Sequence, residues 1–137
     1  MQALRFFGWF LGGVQCAPLF ALHPLGWLVG ATGAICGLLA LRRPLRPEPR
    51  MLALFWPFLT AAAAILVGMR FPSPSGAGPA PTDLLELLWL AHVVGCAAVV
   101  AFARGFRLVA GAALSLGTFV FAGCSLVAAM SVTGTWL

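Results

Sequence analysis

From Phe6 to Leu41 the chain runs for 36 residues without a formal charge. As one straight helix that run would measure about 54 Å at 1.5 Å per residue, against a hydrocarbon core about 30 Å thick. It must therefore break or tilt, and the break decides how often the chain crosses a bilayer. His23-Pro24 lies at its centre. Proline removes a backbone donor and disfavours α conformation in the residue before it, so a first helix is predicted to end near Leu22. Gly26 and Trp27 follow, and Trp favours the headgroup level. The sequence thus predicts a tight hairpin near the outer surface, with helices over residues 6–22 and 25–41.

Only 8% of the 137 residues are charged and 62% are hydrophobic, with a mean hydropathy of +1.04. Soluble domains need roughly 25% charged residues to cover their surface. The composition identifies an all-α integral membrane protein forming a single transmembrane domain over residues 1–137, with no room for a separate soluble domain. The net charge of +5 comes from eight Arg against Glu48, Asp83 and Glu86, with no Lys. These arginines cluster at the ends of apolar segments, where the positive-inside rule puts them. No basic stripe interleaves with stacking aromatics, which argues against nucleic acid as a partner. Arg in place of Lys, with abundant Ala, Gly and Pro, suggests a GC-rich bacterial genome and so the inner membrane.

The basic loop "RRPLRPEPR", carrying Arg42, Arg43, Arg46 and Arg50, is assigned to the cytoplasm. A third helix is predicted over 51–69. The Pro-, Gly- and Ser-rich link "RFPSPSGAGPAPTD" belongs outside. A fourth helix over 84–103 then leads to "RGFR", whose Arg104 and Arg107 turn the chain back in the cytoplasm, and a fifth covers 108–130. The expected fold is a bundle of five transmembrane helices with a cytoplasmic N-terminus and a periplasmic C-terminus. Four crossings are the alternative, with residues 6–41 as one tilted or partly re-entrant segment and Arg5 outside. The N-terminal run has the basic end and apolar core of a signal peptide, but "ALH" is a poor cleavage site, so it is read as a membrane anchor.

In lipid, helices meet where small residues let backbones approach. Gly26, Gly30, Gly33 and Gly37 mark the second helix for a crowded, central position, and Gly8 and Gly12 give the first a packing face. Pro18 and Pro57 are expected to kink helices one and three. Gln15, Thr60, Ser115, Thr118 and Ser125 are expected to hydrogen-bond between helices.

Ionisable groups inside a membrane are candidates for function. Glu86 and His92 qualify. Glu86 is placed one turn into the fourth helix, within reach of interfacial water, and either anchors the helix start beside Asp83 or joins a proton path. His92 lies deeper. It is read as bonded to a neighbouring carbonyl, Ser or Thr, with three functional alternatives: a haem b ligand or quinone neighbour, a metal ligand with Cys96 one turn on, or a proton carrier with Glu86. Their six-residue offset turns Glu86 and His92 about 120° apart on one helix. Cys16, Cys36, Cys96 and Cys124 each fall in apolar runs and read as buried small hydrophobes. No catalytic triad, phosphate-binding loop or HExxH motif is present.

The leading expectation is a small non-catalytic subunit or accessory protein of a bacterial inner-membrane complex, with the bilayer and other membrane subunits or its own copies as partners and no resident cofactor. A small oligomeric channel or transporter using Glu86 and His92 comes second. A redox subunit with His92 at a haem b or quinone site comes third.

Overall fold

The computed structural model describes residues 2–42, 49–72 and 79–135. Arg43 and Arg46, two of the expected orientation-setting arginines, lie outside the described residues, as do Glu48 and Trp136. Among the described residues every regular element is helical. In chain order these are α1 (Gln2–Cys16), α2 (Pro24–Ala40), α3 (Trp56–Arg70), α4 (Pro79–Phe102) and α5 (Arg107–Thr133). Two 3₁₀ turns, Ala17–Leu22 and Pro49–Phe55, extend α1 and precede α3.

The prolines explain where helix type changes. Pro18 sits at the start of the first 3₁₀ turn and Pro57 in the first turn of α3, where a missing N–H disturbs the i to i−4 ladder least. The same tolerance corrects the start of α4. Pro79 and Pro81 were expected in the loop, yet they occupy its first turn, so Asp83 lies inside the helix and Glu86 about two turns in rather than one.

His23 breaks the long apolar run as expected. It adopts an extended conformation, φ −90° and ψ 140°, and its Nδ1 accepts from Leu25 N at 3.2 Å, capping α2. The predicted hairpin, however, does not form. Gln2–Leu22 and Pro24–Ala40 meet at 101°, and their contacts run down α5 in one direction. Trp9 packs near Ala128, Gly13 against Cys124, Ala17 against Gly123 and Phe20 against Phe119. Along α2, Gly30 approaches Phe119, Gly33 meets Ser115 and Cys36 meets Gly111. A hairpin would retrace its levels on α5; this pair continues past them. Proline dictates where a helix stops and leaves the angle of the next one to packing. Three helical segments, Pro49–Arg70, Ala80–Phe102 and Arg107–Thr133, are each long and apolar enough to cross a membrane, and the bent pair can supply a fourth span.

The crowded centre is α5, not α2. Ala110, Gly117, Ala122, Gly123, Cys124, Ser125 and Ala128 are all buried along it, whereas α2 buries only Gly26. A Cβ on Gly123 would run into the backbone of Gly13 and Ala17, and one on Gly117 would lie 2.5 Å from the Pro57 ring. Gly33 brings α2 close to Ser115, and Gly26 lies against the Phe20 carbonyl within the bend itself. Gly30 and Gly37 make ordinary van der Waals approaches to Phe119 and Ala112. Gly8 and Gly12 have open space around them, so the packing role expected of them is not met within this chain.

Gly123→Ala is therefore expected to destabilise the fold by about 1–3 kcal/mol, the usual range for overpacking. Gly12→Ala should leave stability unchanged or slightly raised, because Ala is the better helix former. Thermal unfolding in detergent, followed by circular dichroism, compares the two directly.

Candidate functional site

Thr60, His92 and Thr118 come from three different helices and meet at one depth. At 1.5 Å of helical rise per residue each lies about 15–18 Å from the nearby arginine on one side, Arg50, Arg104 and Arg107 respectively. The imidazole of His92 is 1% exposed. Its Nδ1 is 2.9 Å from Thr60 Oγ1 on α3, and its Nε2 is 3.1 Å from Thr118 Oγ1 on α5. Phe121 stacks on the ring at 4.1 Å between centroids and 11° between planes, and Trp89 meets it edge-on at 6.3 Å. Trp56 Nε1 donates to the His92 carbonyl at 3.4 Å. Gly95 makes room for that indole, because a Cβ there would overlap the Trp56 ring.

The hydrogen-bond arithmetic selects a tautomer. Thr118 Oγ1 donates its one proton to the Leu114 carbonyl at 2.7 Å, so toward the imidazole it can only accept, and Nε2 carries the hydrogen. Nδ1 is then the acceptor, and Thr60 Oγ1 donates to it. Thr60 also lies 2.9 Å from the Pro57 carbonyl, so its one proton is shared between that oxygen and Nδ1. A neutral ring is thus satisfied at both nitrogens. A haem iron or metal ion at either nitrogen would have to displace a threonine.

Cys96 Sγ sits 3.6 Å from His92 Nε2, one helical turn along the same face. Among the described residues no group of three His, Cys, Asp or Glu side chains converges as metal ligands. Cys16, Cys36, Cys96 and Cys124 are free thiols, of which Cys124 is buried and the others partly so. Glu86 is exposed on a different face of α4 from His92, so the two are not brought together within one chain. Of the expected polar partners, Thr60 and Thr118 bridge helices through His92. Ser115 packs against Gly33, Gln15 faces outward, and the buried Ser125 hydroxyl has no hydrogen-bond partner among the described residues. Ser131 supplies a bridge that sequence reading missed, donating to the Gly68 carbonyl at 3.0 Å.

Two clefts flank the site. One of about 600 Å³ lies between α2, α4 and α5; Arg107 lines it, and so do Thr32, Ser115, Thr118 and Cys96. It reaches the threonine beside His92. The other, about 500 Å³, sits at the bend of the first span.

Neither a family model, nor a curated protein, nor a solved structure matches this chain. Function therefore rests on the geometry. What the buried site does chemically is to tie α3, α4 and α5 together through one ring.

Thr60→Val and Thr118→Val should each cost about 0.6–1.5 kcal/mol, the scale of hydrogen bonds between membrane helices. His92→Ala also leaves a hole beneath Phe121 and should cost about 2–4 kcal/mol, as other large-to-small core changes do. Equal losses for all three in detergent unfolding would show that the ring contributes no packing.

Proposed function

We propose that this chain is a non-catalytic subunit or accessory protein of a bacterial inner-membrane assembly of the respiratory, secretion or transport kind. The observation that carries the reading is the closed state of His92. This buried imidazole has both nitrogens bonded and a ring on its face, which suits a structural clasp better than a ligand or a proton carrier. Glu86, turned to another face, supports the same reading. So does the stripe of large exposed side chains on α4, Leu84, Leu87, Leu90 and Val94, which can meet lipid or a neighbouring subunit.

Four crossings fit this chain better than five. The one-way register of α1 and α2 along α5 supports a single broken first span. The N-terminus then lies with the Thr133 end of α5 in the periplasm, and Arg42, Arg50, Arg104 and Arg107 face the cytoplasm together with the sequence neighbours Arg43 and Arg46. Arg5 and Arg70 fall outside, which still leaves six of the eight arginines inside.

Extraction from native membranes in mild detergent should give a large particle of defined stoichiometry with other chains attached. A lone monomer, or a small homo-oligomer that moved a solute in proteoliposomes, would overturn the subunit reading. Topology has its own test. In a cysteine-free background, Ala3→Cys and Ser75→Cys should both react with an impermeant thiol reagent applied from the periplasm. Protection of Ala3→Cys alone would restore the five-crossing fold.

A further inference from the structure

At the arginine-bearing end of the bundle a cleft of about 770 Å³ runs between the 3₁₀ turn Pro49–Phe55 and the end of α4. Its size lies within the range of small-molecule clefts, about 300–1,000 Å³. Arg50 and Arg104, far apart in the chain, both line it, and the rest of its wall is Ala, Val and Phe.

Packing brings these two arginines together. Ala103 and Phe106, on either side of Arg104, are 1% and 7% exposed and form a buried cluster with Ala110 and Leu114. Met51 and Leu54 pack on the same cluster, which sets the turn that begins at Pro49 against the turn that follows α4. Backbone bonds hold the latter, with Ala103 N donating to the Val99 carbonyl at 2.9 Å and Phe106 N to the Ala103 carbonyl at 3.1 Å. Both arginines are exposed, and among the described residues neither forms an ion pair. Asp83 and Glu86 sit toward the other end of α4. Glu86, the nearer of the two, is about 24 Å from Phe102 by helical rise.

Two positive charges at one cleft repel each other and attract an anion. Below them the wall continues through Ala98, Ala101 and Phe102 on the exposed face of α4, where acyl chains would lie. A soluble anion would satisfy the arginines and leave that wall bare. Phosphatidylcholine would cover the wall, but its quaternary ammonium is repelled by the same guanidinium groups that attract its phosphate. A phosphate that carries no cation and has acyl chains beneath it meets both requirements, and the planar fork of arginine matches phosphate oxygens in pairs. We infer that this cleft seats one anionic phospholipid, with its phosphate between Arg50 and Arg104 and an acyl chain along Ala98 and Ala101. Arg107 provides the contrast. It carries the same charge at the same end of the bundle but lines the separate cleft between α2, α4 and α5. The seat depends on the chain lying in a bilayer and not on its being a subunit.

The test uses the full chain in a non-ionic detergent, titrated with dioleoyl phosphatidylglycerol or dioleoyl phosphatidylcholine, with bound lipids counted by native mass spectrometry. A single phosphatidylglycerol should bind first and more tightly than phosphatidylcholine. Arg50→Gln and Arg104→Gln should each weaken it about fivefold, the effect of one basic residue beside anionic headgroups. Ala98→Phe, which fills the trough and removes no charge, should weaken it as well. Arg107→Gln should leave it within about twofold, because a charge outside the cleft is screened. Equal affinity for the two lipids overturns the proposal. So do equal losses in Arg107→Gln and Arg104→Gln, which would mean attraction to surface charge in general. Displacement by an equal concentration of glycerol 3-phosphate would make the cleft a seat for a soluble anion and overturns it too. Lipid binding can fail while the particle from native membranes is still a multi-subunit complex, so this result and the subunit reading stand or fall separately.

Discussion

Lipid gives helices no hydrophobic reason to associate, because an alkyl tail solvates Leu as well as another Leu does. What remains is close approach and hydrogen bonding, and in this chain both are concentrated on α5. Its buried positions are nearly all small, so α1, α2 and α3 can each bring backbone or a small side chain against it. The larger side chains among its buried positions are Leu114, Phe121 and Val132. Phe121, fully buried, is the one that reaches across to α4 through His92 and Trp89. An axis with larger side chains would hold its neighbours too far apart for Thr60, His92 and Thr118 to bond.

The clasp at His92 answers a particular weakness. The window of α4 that would cross the membrane has only 11% of its residues buried within the chain, against 44% for α5. Besides Leu85 near its start, His92 is its only buried residue. Small-residue packing therefore holds α4 poorly, and polar contacts take over: two hydroxyls on the ring, one indole on the carbonyl. A burial cost comes with this choice, since an imidazole away from water must be bonded at both nitrogens. The threonines supply those bonds in opposite senses, one donating and one accepting. Each can also bond a carbonyl of its own helix, so loss of the ring would leave Thr60 and Thr118 satisfied. The helices are joined, but the penalty for parting them falls on His92 alone.

Much of this was legible in the sequence, and the failures have physical causes. Helix count, the break at His23-Pro24 and the positions of most helix ends follow from hydropathy and proline, because both act locally. The bend angle does not, since it depends on which faces of α1 and α2 meet α5. Glycine spacing marked α2 as central, but a glycine shows that close approach is possible and not that a partner exists, as the open surroundings of Gly8 and Gly12 demonstrate. Thr60 and Thr118 were recognisable as bridging residues but not as partners of His92. Counting helical rise from the arginine-bearing ends would have put all three at one depth. Rotation about each helix axis, which decides whether they face one another, is invisible without the packing.

The broken first span links these points. The 3₁₀ turn over Ala17–Leu22 and the extended His23 swing α2 away by 101°, and the cavity opens where the two helices part. Phe20, inside that turn, makes an edge-on contact with Phe119 at 5.2 Å between centroids, which holds the turn against α5 so that the space does not collapse. Through Trp89, which packs on Phe121 at 4.7 Å, the wall of the cavity is continuous with the stack on His92. Any occupant that moved Trp89 would press on the same ring that fixes α4. The proline that stops the first helix thus creates a space whose wall is also the hold on the least buried helix.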